Sequence, residues 1–177
     1  MTNGARSQVT LVLGGARSGK SRHAESVCLR TGLEPVYLAT SQVFDAEMAS
    51  RVARHRADRD PRWTTVEEPL ALAASLRLHA APGRIVLVEC LTLWVTNLMV
   101  AELDVAAASA ELVATLTDLA GPVVLVSNEV GQGVVPANAM ARTFVDHAGR
   151  LHQDVAAIAT TVTLVVAGLA LQLKGHR

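Results

Sequence analysis

The chain is poor in aromatic residues, lysine and cysteine, and it carries no net charge. Tyr, Trp and Phe make up 3% of its 177 residues, so the core has to be packed with aliphatics, chiefly Ala, Leu and Val. Half of the chain is apolar, and its length is that of one domain with a sizeable core. Zero formal net charge argues against general nucleic-acid binding and against a polybasic membrane surface. No apolar stretch reaches about 18 uninterrupted residues, so no membrane span is expected. The opening MTNGARSQ has no apolar signal core, and a cytoplasmic location fits these absences. Cys28 and Cys90 lie far apart, without metal-ligand spacing. Both read as reduced, structural thiols, and Cys90, after a very apolar run, reads as buried. Positive charge is almost all arginine, the lysines being Lys20 and Lys174. A compositional bias toward Arg accounts for that in general, yet Lys20 stands where a phosphate-binding loop needs its lysine.

Short apolar runs alternate with helical patterns along the chain. Strands are expected at Val9–Leu13, Val36–Thr40, Ile85–Val88, Val123–Ser127 and Val162–Val166, with a short strand at Trp63–Glu67 and an edge strand at Leu169–Leu173. Helices are expected near Lys20–Arg30, Asp45–Arg59, Pro69–His79, Leu91–Val100, Val105–Leu119 and Asn138–Thr160. This alternation predicts an α/β protein with three layers and a mostly parallel central sheet, residues 1–177 forming one domain. Ligands of such sheets bind at the carboxyl ends of the strands. The loops after Leu13, Thr40, Val88 and Val126 are therefore expected to share one site.

The first of these loops carries the clearest chemistry. Gly14-Gly15-Ala16-Arg17-Ser18-Gly19-Lys20-Ser21 matches G-x-x-x-x-G-K-[ST], with a strand before it and a helix after. Its glycines let backbone N–H groups wrap phosphates, and the helix N-terminus adds positive potential. Lys20 is expected to reach the β/γ-phosphates and Ser21 to ligate Mg²⁺. A glycine turn that only packs strand on helix explains the glycines but not the Lys-Ser pair. Arg17 and Arg22 flank the loop, where solvation is the ordinary fate of an arginine.

Two more strands end in carboxylates. In IVLVEC, Glu89 follows four apolar residues on a strand expected beside the loop-bearing one. A carboxylate there can hold Mg²⁺ or take a proton from a substrate hydroxyl; it can also simply cap the next helix. VVLVSNEVGQG repeats the arrangement with Asn128 and Glu129. The segment DAEMASRVARHRADRD places His55 among Arg51, Arg54, Arg56 and Arg59. A solvated surface helix accounts for it. So does a nucleophile: a neutral imidazole attacks phosphorus to give a phosphoramidate, with arginines neutralising the polyphosphate.

The order of GGARSGKSRHAE, YLATSQVFDAEMASRVARHR, ECLTLWVTNL and SNEVGQGVVP resembles one family over nearly the whole chain. That family is the bifunctional adenosylcobinamide kinase/adenosylcobinamide-phosphate guanylyltransferase of cobalamin biosynthesis. The resemblance implies a RecA-like P-loop NTPase fold and a homotrimer. It implies ATP or GTP, with Mg²⁺, as phosphoryl donor to the aminopropanol hydroxyl of adenosylcobinamide. It also implies GMP transfer from GTP to adenosylcobinamide phosphate through a histidine-linked intermediate, giving adenosylcobinamide-GDP.

On this chain His55 takes the position of the guanylylated histidine, with Lys20 and Glu89 as the other catalytic residues. Gly14–Ser21, Thr40, Ser41, Gln42, Arg56, Ala57, Asp58, Arg59, Glu67 and Glu89 would line the nucleotide site. Ser21 and Glu89 would hold the metal. VDHAGRLHQ departs from the RDxxGxxNQ of related sequences, with Val145 and His152 in place of Arg and Asn. The role of that helix, corrinoid binding or packing, stays open. A kinase lacking the second activity, a guanylyltransferase lacking the first, and a nucleotide-switched binding module are the other readings.

Overall fold

Strands apolar on both faces need cover on both, and the chain supplies it. The computed structural model describes residues 8–42 and 60–175. The helix expected over Asp45–Arg59, and with it His55, Arg56, Ala57, Asp58 and Arg59, lies outside the described residues. Within them, seven strands form one sheet: β1 (Val9–Gly14), β2 (Glu34–Ala39), β3 (Thr64–Glu67), β4 (Arg84–Glu89), β5 (Val123–Asn128), β6 (Thr161–Val166) and β7 (Leu169–Lys174). Their order is β3-β2-β4-β5-β1-β6-β7, and every pair is parallel except β6–β7. The helices are α1 (Lys20–Arg30), α2 (Leu72–His79), α3 (Leu91–Val100), α4 (Val105–Asp118) and α5 (Ala139–Ile158).

Alternate residues of each inner strand feed two cores. On one face Leu11, Leu38, Val88 and Leu125 pack with Leu76 of α2, Trp94 of α3, Leu116 of α4 and Leu151 of α5. On the other, Val12, Tyr37, Leu87 and Val126 meet Ala24 and Cys28 of α1, with Trp63 set edge-on to Tyr37. The expected three layers and mostly parallel sheet are present. Asp104 and Asn138 cap α4 and α5 by accepting from Ala107 N at 3.0 Å and Ala141 N at 3.2 Å.

Two expectations need correction. Helix α2 begins at Leu72 rather than Pro69. The intervening backbone is taken by tertiary bonds: Glu68 Oε1 accepts from Leu70 N and Ala71 N, while Trp94 Nε1 donates to the Leu70 carbonyl. The strand ending in Glu89 does not lie beside β1, because β5 sits between them. Glu89 nonetheless reaches the loop, since α1 packs across β4 and β5.

Candidate active site

Residues Gly14–Ser21 turn the end of β1 into α1, and the turn is built from backbone. Gly19 is the N-cap at φ 94°, Arg17 also takes a positive φ of 58°, and Ser18 N donates to the Gly15 carbonyl at 3.2 Å. A Cβ on Gly14 would lie 2.5 Å from Ser18 Oγ and 2.6 Å from the Val165 carbonyl oxygen, so only glycine fits there. The β6–β7 turn braces the loop from outside, with Gly168 N donating to the Ser18 carbonyl at 2.8 Å. Ala167 and Gly168 form this two-residue turn, both at positive φ. An open cleft of about 440 Å³ is lined by residues 17–22 and Gly168.

Two features of this cleft suit anions. Lys20 is only 8% exposed; its Nζ donates to the Gly15 carbonyl at 3.2 Å, and among the described residues it makes no ion pair. A buried ammonium is costly unless an anion meets it. Ser18 Oγ is buried with no hydrogen-bond partner among the described residues. At the foot of α1, Ser21 Oγ donates to Glu89 Oε1 at 2.8 Å. A hydroxyl beside one carboxylate fits Mg²⁺, which keeps most of its shell as water and phosphate oxygen.

The other loops meet at the same edge of the sheet. Glu129 N donates to the Gly14 carbonyl at 3.0 Å, and its carboxylate accepts from Gly131 N at 2.7 Å. Asn128 Nδ2 donates to Thr92 Oγ1 at 3.2 Å. Thr40 follows β2, fully buried, and its side chain turns away from the cleft: Oγ1 donates to the carbonyls of Cys90, at 2.8 Å, and Glu89, at 3.1 Å. Ser41 and Gln42 come next, half-buried. Glu67 aligns with Ala39, and Ala39 with Glu89. It therefore stands in the row of Glu89 but two strands away, about 10 Å at ordinary strand spacing, outside the Ser21–Glu89 pair. His55 and Arg56–Arg59 lie outside the described residues.

Several groups play supporting parts. His152, 8% exposed on α5, sits 2.7 Å by Nε2 from Ser127 Oγ, at the end of β5. Burial lowers its pKa, opposed by the Glu129 charge. His23, on α1, is lowered by partial burial and by Arg30. Both cysteines are buried free thiols; burial, with Glu25 beside it, raises Cys28 to about 12, and burial with Glu89 raises Cys90. The sequence marks Gly168 as the turn before the edge strand but not its contact with the loop, and it assigns no role to Thr92 or Asn97. An Ala-Gly pair between two apolar runs was the available signal for the first; the others sit in a motif whose buried polar residues had no visible partner.

A strand–G-x-x-x-x-G-K-S–helix junction in a parallel sheet, with a carboxylate facing the serine, defines the P-loop NTPase class of fold. Among solved structures, the flagellar accessory protein FlaH from Methanocaldococcus jannaschii shares this architecture. Its TM-score is 0.52 at 12% identity, covering 96% of this chain and 79% of that one. Residues 10–173 match the family described as cobinamide kinase / cobinamide phosphate guanyltransferase, CobU. The bifunctional adenosylcobalamin biosynthesis protein CobP of Pseudomonas aeruginosa is 52% identical over 169 residues, 94% of this chain and 97% of that protein. The corresponding protein CobU of Escherichia coli is 41% identical over 179 aligned positions, 93% and 98% of the two chains. The chain belongs to the CobU family.

Proposed function

We propose that this chain carries out both reactions of its family as one domain spanning residues 1–177. In the first, the aminopropanol hydroxyl of adenosylcobinamide attacks the γ-phosphorus of ATP or GTP. The nucleoside diphosphate leaves and adenosylcobinamide phosphate forms. In the second, neutral His55 attacks the α-phosphorus of GTP, pyrophosphate leaves, and a GMP–histidine bond forms. A phosphate oxygen of adenosylcobinamide phosphate then attacks that phosphorus, giving adenosylcobinamide-GDP and freeing His55.

The observation that carries the reading is the Gly14–Ser21 cradle, with the Lys20 ammonium buried in it and no ion-pair partner among the described residues. Loop N–H groups and Lys20 would hold the β/γ-phosphates and offset charge as it builds in transfer. Glu89 would accept the hydroxyl proton or, with Ser21, hold Mg²⁺. Bound Mg²⁺ would supply charge neutralisation on the phosphate oxygens. Thr40, Ser41, Gln42, Arg56, Ala57, Asp58, Arg59 and Glu67 would border the guanylyl-transfer side. Among the described residues no helix is long and apolar enough to cross a membrane, and we place the reactions in the cytoplasm, on a homotrimer.

The test is incubation with Mg²⁺ and GTP labelled in the α-phosphate, then denaturation and peptide mapping, with His55→Ala alongside. An acid-labile GMP adduct on His55, absent in the variant, is expected. No adduct, with ATP consumed only when cobinamide is present, would leave a kinase alone. No adduct and no acceptor dependence would leave a nucleotide-switched module.

A further inference from the structure

Asn97 is buried in α3, 2% exposed, and takes no part in the steps above. Its side-chain amide has two hydrogens to donate. Both go to backbone carbonyls far apart in sequence: Nδ2 lies 2.6 Å from Thr40 O and 3.0 Å from Pro69 O. Thr40 is the residue at which β2 gives way to the next stretch, and Pro69 follows β3. Residues 41–68 run between these two carbonyls in the sequence; 43–59 lie outside the described residues, and Thr64–Glu67 are β3, paired with β2. His55 lies in that stretch, fifteen residues after Thr40.

The first of these ends is pinned on all sides. Thr40 N donates to the Glu89 carbonyl at 3.0 Å, its hydroxyl reaches the carbonyls of Glu89 and Cys90, and its own carbonyl accepts from Asn97. Trp94, one turn earlier on α3, bonds only the second end, at Leu70. Among the described residues, Asn97 is the side chain that joins both. The loop that faces the γ-phosphate is held by different contacts: Ser21 to Glu89, Glu129 N to Gly14, and Gly168 N to Ser18.

We propose that Asn97 is a positioning residue for guanylyl transfer, bracketing the stretch that carries His55 and fixing where it departs from Glu89. This rests on the reading of His55 as the guanylylated residue. Asn97→Ala takes this donor from the buried Thr40 carbonyl and the half-buried Pro69 carbonyl, and Asn97→Asp sets an acceptor against them.

The experiment compares wild type, both Asn97 variants and Thr40→Val, which keeps volume but loses the hydroxyl. Thermal melting establishes folding. The single-turnover rate of GMP adduct formation at saturating GTP is then set against the rate of ATP-dependent cobinamide phosphorylation. In the Asn97 variants adduct formation should fall about 100-fold while phosphorylation stays within about threefold, a split that misplacement of a reacting group produces. Thr40→Val should shift the same ratio in the same direction by a smaller factor.

Loss of both activities in step with melting temperature would overturn the proposal, since Asn97 would then be structural only. A wild-type adduct rate in a folded Asn97 variant would overturn it as well. If the Asn97 variants do not fold, a wild-type ratio in folded Thr40→Val has the same force. Absence of an adduct in wild type would instead remove the His55 reading, and this proposal with it.

Discussion

Gly14→Ala tests how the loop is built. The added Cβ would meet Ser18 Oγ at 2.5 Å and the Val165 carbonyl oxygen at 2.6 Å. The serine side chain can turn aside. The carbonyl cannot, because it belongs to β6, where Val165 is the register partner of Gly14. A comfortable C···O contact is about 3.3 Å or longer, so β1 and β6 have to part by about 0.7 Å at this end. Overpacking of that kind costs about 1–3 kcal/mol, and in a domain of this size each kcal/mol lowers Tm by about 2–4 °C. The expected drop is therefore about 2–12 °C in the nucleotide-free protein.

Gly15→Ala is the control, because a Cβ there finds nothing within 4 Å. Its melting temperature should stay within about 1–2 °C of wild type, the ordinary range for a substitution that meets no neighbour. Calorimetry without nucleotide separates the two. Nucleotide titration should also show weaker binding in Gly14→Ala, since the Gly14 carbonyl receives the Glu129 N–H and the wedge moves both. Equal melting temperatures for the two variants would refute the packing argument.

Glu89→Gln keeps an oxygen to accept from Ser21 but removes the charge, so the fold should persist. The kinase rate should fall by about 100-fold or more, the usual scale for losing a proton acceptor or a charge in the transition state. A Mg²⁺ titration of the residual rate checks the metal part, and an unchanged rate and Mg²⁺ dependence would remove Glu89 from both roles. The buried His152 predicts a pH effect. Burial favours its neutral form, so the unfolded chain binds the proton more tightly. This contribution to stability is complete above the unfolded value of 6.5 and is lost as pH falls below it. His23 shifts the same way, so the comparison has to be made with His152→Asn. The variant's melting temperature should fall less than wild type's between about pH 7.5 and pH 5.5, and equal falls would exclude His152 as the source.

The sheet was legible because its strands are continuous apolar runs and β1 feeds a loop with a fixed spacing of glycine, lysine and serine. The convergence of the loops after β1, β2, β4 and β5 followed from the rule that open α/β sheets bind at their carboxyl edge. Strand order was less accessible. Nothing in the local pattern of Ile85–Val88 says that β5 will separate it from β1, since a crossover is chosen by packing across the whole sheet. Thr40 illustrates the same gap: the family resemblance puts it in the nucleotide site, and only the structure shows that its hydroxyl bonds carbonyls about fifty residues away. His152 replaces an expected Asn, and only the packed structure shows that it faces Ser127.

The arrangement also gives Glu89 two separate sets of partners. Glu89 presents its side chain to Ser21, at the start of α1. Its backbone carbonyl lies in the sheet toward the end of β2, accepting from Thr40 N and Thr40 Oγ1. The side chain therefore bonds the Gly14–Ser21 loop, and the main chain bonds Thr40 just after β2. A change in charge at Glu89 leaves the main-chain bonds intact, and a change at Asn97 leaves the Ser21 contact intact. The two perturbations should consequently weigh on different steps, although their points of action meet in one residue. The order β2-β4-β5-β1 makes this possible, because β4 lies between the strand that leads into Thr40 and the two that carry the phosphate loop and Asn128.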